Sequence, residues 1–394
     1  MIARDIGTTL LEAAGQFPVV TLTGPRQSGK STLCRASFPD KPYANLEAPD
    51  VRAFAADDPR AFLRQFPAGA ILDEVQRVPE LPSYLQGLVD AEPDHGRWIL
   101  TGSQNLALLE SVSQSLAGRS AVLHLLPLAR SEIVRFDQYP ATLDESLAAG
   151  GYPRIFDRHL APADWLQSYV ATYLERDVRA ISNVGDLVAF QRFIEFCAGR
   201  TGQLLNYSSL AADIGVTQPT AKAWLSVLEA SFVVFRLPAF HSNRRRRLAK
   251  MPKLHFYDTG LACWLLGIRS ADQLRSHPLR GAIFESWVVS EVVKHRTNLG
   301  ETGSGSFYRD RDGVEADLVL ELADRLVVVE AKAAATPSGS LVGGAERVRA
   351  HLSEEGRPVD TIVVYGGDDV VQRTHTRLVP WHSLHQEAWI APLR

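Results

Sequence analysis

The sequence predicts an α/β protein. A parallel sheet bearing a phosphate-binding loop leads into a helical lid, a winged helix-turn-helix and a C-terminal α/β domain. Three observations predict it. Gly24-Pro25-Arg26-Gln27-Ser28-Gly29-Lys30-Ser31 has the spacing G-x-x-x-x-G-K-S, set between a strand-like run and a helical one. Five strand-like runs, 18–23, 43–47, 68–73, 97–101 and 121–126, alternate with helical patterns, as a mostly parallel sheet covered by helices requires. Late in the chain, two apolar runs around a tight turn carry carboxylates and a lysine. The changes of pattern place the loop-bearing core at 1–130, the lid at 131–185, the winged helix at 186–250 and the last domain at 251–394.

In the loop, Gly24 and Gly29 let the backbone curl so that successive N–H groups face phosphate oxygens, and Pro25, Arg26, Gln27 and Ser28 complete the turn between them. Lys30 offers a point charge to the β- and γ-phosphates, Ser31 can ligate Mg²⁺, and Thr32 completes the candidate nucleotide-binding set. Pro18 to Thr23 reads as a buried strand, and Ser31 to Ala36 as a helix whose positive end faces the nucleotide. Ala70-Ile-Leu-Asp73-Glu74 is a short apolar run ending in two carboxylates, the pattern of a parallel strand buried on both faces. Asp73 would hold the Mg²⁺ shell through water, and Glu74 would orient and deprotonate the attacking water. Trp98 to Thr101 is a further strand ending in Gly102-Ser103-Gln104-Asn105. Ser103 is taken as the polar group that senses the γ-phosphate or positions the water, although spacing leaves Thr101 and Gln104 open. Arg119, in Ser115-Leu-Ala-Gly-Arg119, is either a finger reaching a neighbouring subunit's nucleotide or a solvated loop arginine.

At 394 residues and 43.4 kDa, with 45% hydrophobic and 22% charged residues, the chain has room for two or three ordinary globular domains. A net charge of −3 gives no whole-chain argument for nucleic acid, so any such case rests on local patches. Cys34, Cys197 and Cys263 are odd in number and far apart, which argues against a disulfide framework or a zinc site. With no signal-like start and no apolar run long enough to span a bilayer, the expectation is a cytoplasmic protein without membrane contact.

From about 130 the pattern turns helical and breaks at Gly150-Gly-Tyr-Pro153. Trp165 to Arg176 has apolar residues at helical spacing and reads as the lid; Arg154 is a lid contact to phosphate or a surface arginine. Tyr207 to Ile214 is a short helix ending at Gly215, and Thr217 caps a second with Pro219 in its first turn. A strand follows at 232–237, giving the order of a winged helix-turn-helix. Gln218, Thr220 and Lys222 would project from its recognition helix; the alternative is a packing or oligomerisation module. From Arg236 to Lys253 no acidic residue occurs, and Arg244, Arg245, Arg246, Arg247, Lys250 and Lys253 form a candidate phosphate-contacting patch for DNA.

Asp317 to Leu322 and Arg325 to Lys332 read as strands joined by a turn at Ala323-Asp324. A two-residue turn places Asp317 opposite Glu330, close enough to share a divalent metal. Glu330 and Lys332 emerge on one face, as metal-dependent phosphodiester cleavage needs. Glu285, on an expected amphipathic helix from Phe284 to Glu291, is a further candidate ligand. The alternative is a structural salt bridge between Asp317 and Lys332. Val359 to Tyr365 supplies another strand of the same mixed sheet.

The D…E-x-K constellation resembles the restriction-endonuclease-like nuclease superfamily. Leu22 to Ser31, Ile71 to Arg77, Ile99 to Gln104, Ser115 to Arg119, Gly150 to Pro153, Tyr173 to Asp177, Pro252 to Leu261 and Phe284-Glu285 add a second likeness. Together these segments resemble a prokaryotic family of AAA-type (AAA+) P-loop ATPases whose C-terminal nuclease-like domain has no assigned role. The resemblance runs along nearly the whole chain. It implies ATP binding and hydrolysis through Lys30, Ser31, Asp73 and Glu74 with Mg²⁺, and assembly into a homo-oligomer such as a ring or hexamer. It leaves the biological role open between DNA transactions and defence or toxin–antitoxin settings.

Overall fold

In the computed structural model, residues 2–388 are described except 93, 104–114, 175–185, 241–250, 302, 304 and 355. The chain falls into two compact units. One comprises 1–127, 230–232 and 297–301; the other comprises 128–229, 233–296 and 302–394.

The first unit is built on β1 (Val19–Thr23), β2 (Tyr43–Asn45), β3 (Ile71–Asp73), β4 (Trp98–Gly102) and β5 (Ser120–His124). Each lies in or beside an apolar run read from the sequence. All pairs are parallel, in the order β2-β3-β4-β1-β5. Every residue of β1, β3 and β4 is buried, as expected for strands covered by helices on both faces. One face packs Leu72, Trp98, Leu100, Leu81 and Leu85 together; the other packs Leu22, Ile71 and Ile99 with Ile6, Leu10 and Leu33. β4 lies between β1 and β3, so side chains at its C-terminal end fall between the loop after β1 and the acids that end β3.

The second unit holds two sheets. β6 (Gln203–Leu204), β7 (Val234–Leu237) and β8 (Lys253–Phe256) form an antiparallel three-stranded sheet ordered β6-β8-β7. It accompanies helices Leu187–Gly199, Tyr207–Ile214 and Gln218–Ala230. Asn206 caps the second of these, Gly215 ends it in the left-handed conformation (φ 81°), and the Thr217 hydroxyl accepts the Thr220 N–H at 3.2 Å. The larger sheet contains β9 (Ser306–Arg309), β10 (Glu315–Glu321), β11 (Leu326–Lys332), β12 (Val359–Tyr365), β13 (Val371–Gln372) and β14 (Thr376–Pro380), ordered β13-β14-β12-β11-β10-β9. β11, β12 and β14 run parallel and the remaining pairs antiparallel. Leu322 N–H donates to Arg325 O at 2.9 Å, which closes a two-residue turn at Ala323-Asp324. The ladder runs from Glu321–Leu326 to Leu318–Val329, and Asp317 and Glu330 are the next residues along the two strands.

Two expectations are corrected here. The helix carrying Glu285 spans Arg280–Asn298 and is not amphipathic: 283–294 are buried except for Glu285, which is half-buried. Its charged residues survive burial by pairing. Glu291 accepts the Arg130 N–H at 2.6 Å, and Lys294 Nζ donates to Glu291 at 3.0 Å and to Leu128 O at 3.1 Å. The expected lid helix is α-helical only over Pro162–Tyr169, then widens into a π turn over Val170–Leu174. Tyr152, Trp165 and Tyr169 pack their rings against one another at 4.7–5.1 Å.

The Gly150-Gly151 segment and the Asp258-Thr-Gly-Leu261 segment also lock together. Asp258 caps the helix Thr259–Leu265 by accepting the Leu261 N–H at 2.8 Å, and its other oxygen accepts the Gly151 N–H at 2.7 Å.

Candidate functional site

Between β1 and helix Lys30–Ser37 the chain makes the tight loop the motif requires. Gly24 has φ 152°, and a Cβ there would lie 2.1 Å from the carbonyl oxygen of Leu125. Gly29 is left-handed (φ 95°) at the start of the helix. Arg4 braces the loop from outside: its guanidinium donates to Ser28 O at 2.7 Å and to Leu126 O at 2.9 Å.

Lys30 is buried, and its ammonium folds back on the loop, donating to the carbonyls of Gly24 at 3.0 Å and Pro25 at 2.8 Å. Burial pushes its pKa down to about 8, against the upward pull of Glu74 and Asp73. Pro25 and Ser28 are buried, Arg26, Gln27 and Ser31 half-buried, and Thr32 exposed. Ser28 Oγ is buried with no hydrogen-bond partner among the described residues, an orphan a phosphate oxygen would satisfy. Burial also pushes the Cys34 thiol up to about 12; it is a packed core group, like Cys197 and Cys263, which are likewise free and buried.

Asp73 ends β3 almost fully buried, at 5% exposure. One carboxylate oxygen accepts the Tyr43 hydroxyl at 2.5 Å, and the other accepts the hydroxyl of Thr101 from the inserted strand β4. Glu74 sits in the left-handed region (φ 57°), strained for a side chain with a Cβ, which turns it away from the line of β3. Its Oε2 accepts the Ser103 hydroxyl at 3.2 Å and the amide of Gln76. Thr101 therefore serves Asp73 and Ser103 serves Glu74, while Gln104 lies outside the described residues. Tyr43 and Arg4 carry no motif signal, and their roles arise from chain reversal; Gln76 lies in the Ile71–Arg77 segment, two residues from the carboxylate it meets. Arg119 makes a two-toothed contact with Asp90, Nε at 2.5 Å and Nη2 at 3.0 Å. These acids and the Ser31 hydroxyl offer only hard oxygen donors, which fits Mg²⁺.

In the second unit the C-terminal carboxylates meet an unforeseen cation. Lys253 lies on β8 at 3% exposure, with its ammonium 2.8 Å from Glu285, 2.5 Å from Glu315 and 3.6 Å from Asp317. The inclusion of Lys253 in the phosphate-contacting stretch is therefore corrected: it is buried among acids. The Asp317–Lys332 salt bridge is also corrected, since Lys332 pairs with Glu330 at 2.5 Å and Asp317 with Lys253. Asp317 Oδ2 additionally accepts the Ala331 N–H at 2.8 Å. Burial, with the charge of Asp317, raises Glu330 to about 7 and holds Glu285 well above the carboxylate range. Burial alone would lower Lys253, but Glu285 and Asp317 override it and push its pKa up. The signal was a lone lysine at the head of a buried strand, which sequence order could not connect to acids far along the chain.

The remaining DNA-contact candidates are placed as follows. Gln218 and Lys222 are exposed, with the Lys222 ammonium 5.4 Å above the Tyr207 ring. Thr220 is half-buried and its hydroxyl is held by Thr217 at 2.8 Å. Arg236 is paired with Glu229 at 2.5 Å. Arg244, Arg245, Arg246, Arg247 and Lys250 lie outside the described residues.

Comparison with known proteins matches three successive segments of the chain. Residues 16–134 match the family described as AAA domain, 140–272 match domain of unknown function DUF8612, and 280–384 match domain of unknown function DUF4143. Uncharacterized protein Rv2008c of Mycobacterium tuberculosis is 32% identical over 338 residues, 85% of this chain and 75% of the relative; Mb2031c of Mycobacterium bovis matches equally. Among solved structures, the Walker-type ATPase PABY2304 of Pyrococcus abyssi aligns at 16% identity with a TM-score of 0.46, over 67% of this chain and 96% of that one. The chain belongs to the family of these two uncharacterized mycobacterial proteins, and its residues 16–134 match an AAA domain.

Proposed function

We propose that the chain is a Mg²⁺-dependent, ATP-hydrolysing AAA+ ATPase that uses nucleotide turnover to act on DNA, working as a homo-oligomer. One observation carries the hydrolytic part: Lys30 is buried on its own loop carbonyls within electrostatic reach of Asp73 and Glu74. A triphosphate offers that ammonium better acceptors than two neutral carbonyls, so binding draws it from the loop onto phosphate. The loop amides and the N-terminus of helix Lys30–Ser37 supply further donors. Mg²⁺, held by Ser31 and by Asp73 through water, would neutralise phosphate charge. Tyr43 and Thr101 fix the Asp73 carboxylate. Glu74, held by Ser103 and Gln76, takes the proton of the attacking water. Arg119, paired with Asp90 in a single chain, would need to exchange that partner to serve as a finger on a neighbouring nucleotide.

The DNA part of the reading is supported by the helix, capped turn, helix and antiparallel sheet around Tyr207–Phe256, the order of a winged helix, and by exposed Gln218 and Lys222. The six-stranded sheet after the helix Arg280–Asn298 supports a restriction-endonuclease-like domain. The four-domain division, with boundaries near 130, 185 and 250, is part of the same proposal. A second reading is favoured by Lys253: an ATP-controlled regulatory switch in which the C-terminal domain recognises a partner without cleaving.

One assay separates the two. ATPase rate is measured against protein concentration, with and without single-stranded, duplex and branched DNA. The first reading predicts a rate per chain that rises with concentration and rises again with DNA. A rate indifferent to every DNA favours the switch, and a rate per chain independent of concentration removes the shared site.

A further inference from the structure

Lys253 is used by nothing in the ATPase chemistry, yet it is the most enclosed cation of the second unit's acid cluster. Its partners come from separate places: Glu285 from the helix Arg280–Asn298, and Glu315 and Asp317 from β10. The Phe307 ring lies 5.6 Å from the ammonium and closes another side. An ammonium has three N–H donors, and three carboxylates surround this one.

A hard divalent cation requires several converging oxygen ligands. Among the described residues, no three carboxylate, imidazole or thiol groups are arranged to hold a metal ion. The pair expected to share one, Asp317 and Glu330, is already engaged. Asp317 accepts from Ala331 N–H and faces Lys253, while Glu330 Oε1 accepts from Lys332. Of that pair's oxygens, Glu330 Oε2 is the one buried without a partner among the described residues, and one oxygen does not make a site. The residues present therefore do not fit the metal that nuclease chemistry would need.

We infer that Lys253 takes the place of the divalent cation in this cluster, so that the C-terminal domain binds no metal and cleaves no phosphodiester, and that removing the amine converts the cluster into a metal site. The inference goes beyond the ATPase reading and does not depend on it. A tethered monovalent charge suits this role: it cannot be chelated away, and it joins β8 of the small sheet to β10 of the large one. Nearby charges fit too. Arg309 lies 3.7 Å from Glu315, so Lys253, Lys332 and Arg309 together oppose Glu285, Glu315, Asp317 and Glu330. Loss of Lys253 leaves a strongly negative, partly buried pocket, for which Mn²⁺ or Mg²⁺ is a better counter-ion than water.

The test is Mn²⁺ binding followed by electron paramagnetic resonance on the full-length, nucleotide-free chain carrying Asp73→Asn and Glu74→Gln, which remove both acids of the nucleotide site. The parent should leave the free-Mn²⁺ signal undiminished. Lys253→Met in the same background should take up one Mn²⁺ at least about tenfold more tightly, with a thermal midpoint that rises on adding Mn²⁺. Lys253→Arg, which keeps a fixed cation, should behave like the parent. Mn²⁺ uptake by the parent that Asp317→Asn abolishes would overturn the inference. So would uptake by Lys253→Arg equal to that of Lys253→Met, or a folded Lys253→Met that binds none. Should Lys253→Met not fold even with Mn²⁺, the parent titration and its Asp317→Asn control still decide.

Discussion

Lys30→Ala is expected to reduce ATP turnover by at least about 10²-fold, the usual effect of removing one preorganised donor to developing charge. The loss should be larger than for any other single change in the loop, because Lys30 is its only buried cation. The fold should survive, since among the described residues the ammonium donates to the Gly24 and Pro25 carbonyls of its own loop. Its removal also relieves the burial of a charge, so the nucleotide-free variant should melt no lower than wild type. Steady-state ATPase assays alongside thermal unfolding check both halves. Turnover within a few-fold of wild type would show that the loop is not where ATP reacts.

Glu74→Gln should separate binding from chemistry. The amide keeps the shape of the side chain and its contact with Ser103, but it cannot accept a proton from water. A rate loss of roughly 10²–10⁴-fold is expected, with ATP affinity little changed. The left-handed backbone at Glu74 strengthens this assignment. Such a conformation is unfavourable by about 1–3 kcal/mol for a residue with a Cβ, and it persists where the surrounding structure enforces it. Equal losses of binding and turnover would instead make Glu74 a structural residue. Single-turnover hydrolysis and a fluorescent-nucleotide titration distinguish the two.

Much of the first unit could be read from the sequence because its signals are local. Buried parallel strands appear as short apolar runs, and the loop's glycines and lysine sit within eight consecutive residues. The two-residue turn at Ala323-Asp324 is legible for the same reason, and with it the register that pairs Leu318 with Val329, next to Asp317 and Glu330. What escaped was long-range. Tyr43 reaches Asp73 only because β2 pairs with β3, and Thr101 reaches it only because β4 is inserted beside β3. Lys253 read as part of a basic stretch, since nothing in its neighbours announces a strand that carries it into three carboxylates. The helix around Glu285 misled for a related reason. Glu285 and Glu291 imply a solvated face, but each meets a partner distant in sequence or one turn along. Local patterning identifies elements and loops; pairing between elements decides which charges are free to act.

The account depends on the Lys30 ammonium leaving its loop carbonyls for a triphosphate. Burial holds its pKa near 8 in the nucleotide-free chain, and the negative charge of ATP should return it toward its ordinary range. Calorimetric titration of ATP with Mg²⁺ near pH 9, repeated in two buffers of different ionisation heat, measures this directly. The prediction is one saturable site per chain and uptake of close to one proton, absent in Lys30→Met. No binding heat in either buffer, or binding without proton exchange, would contradict it.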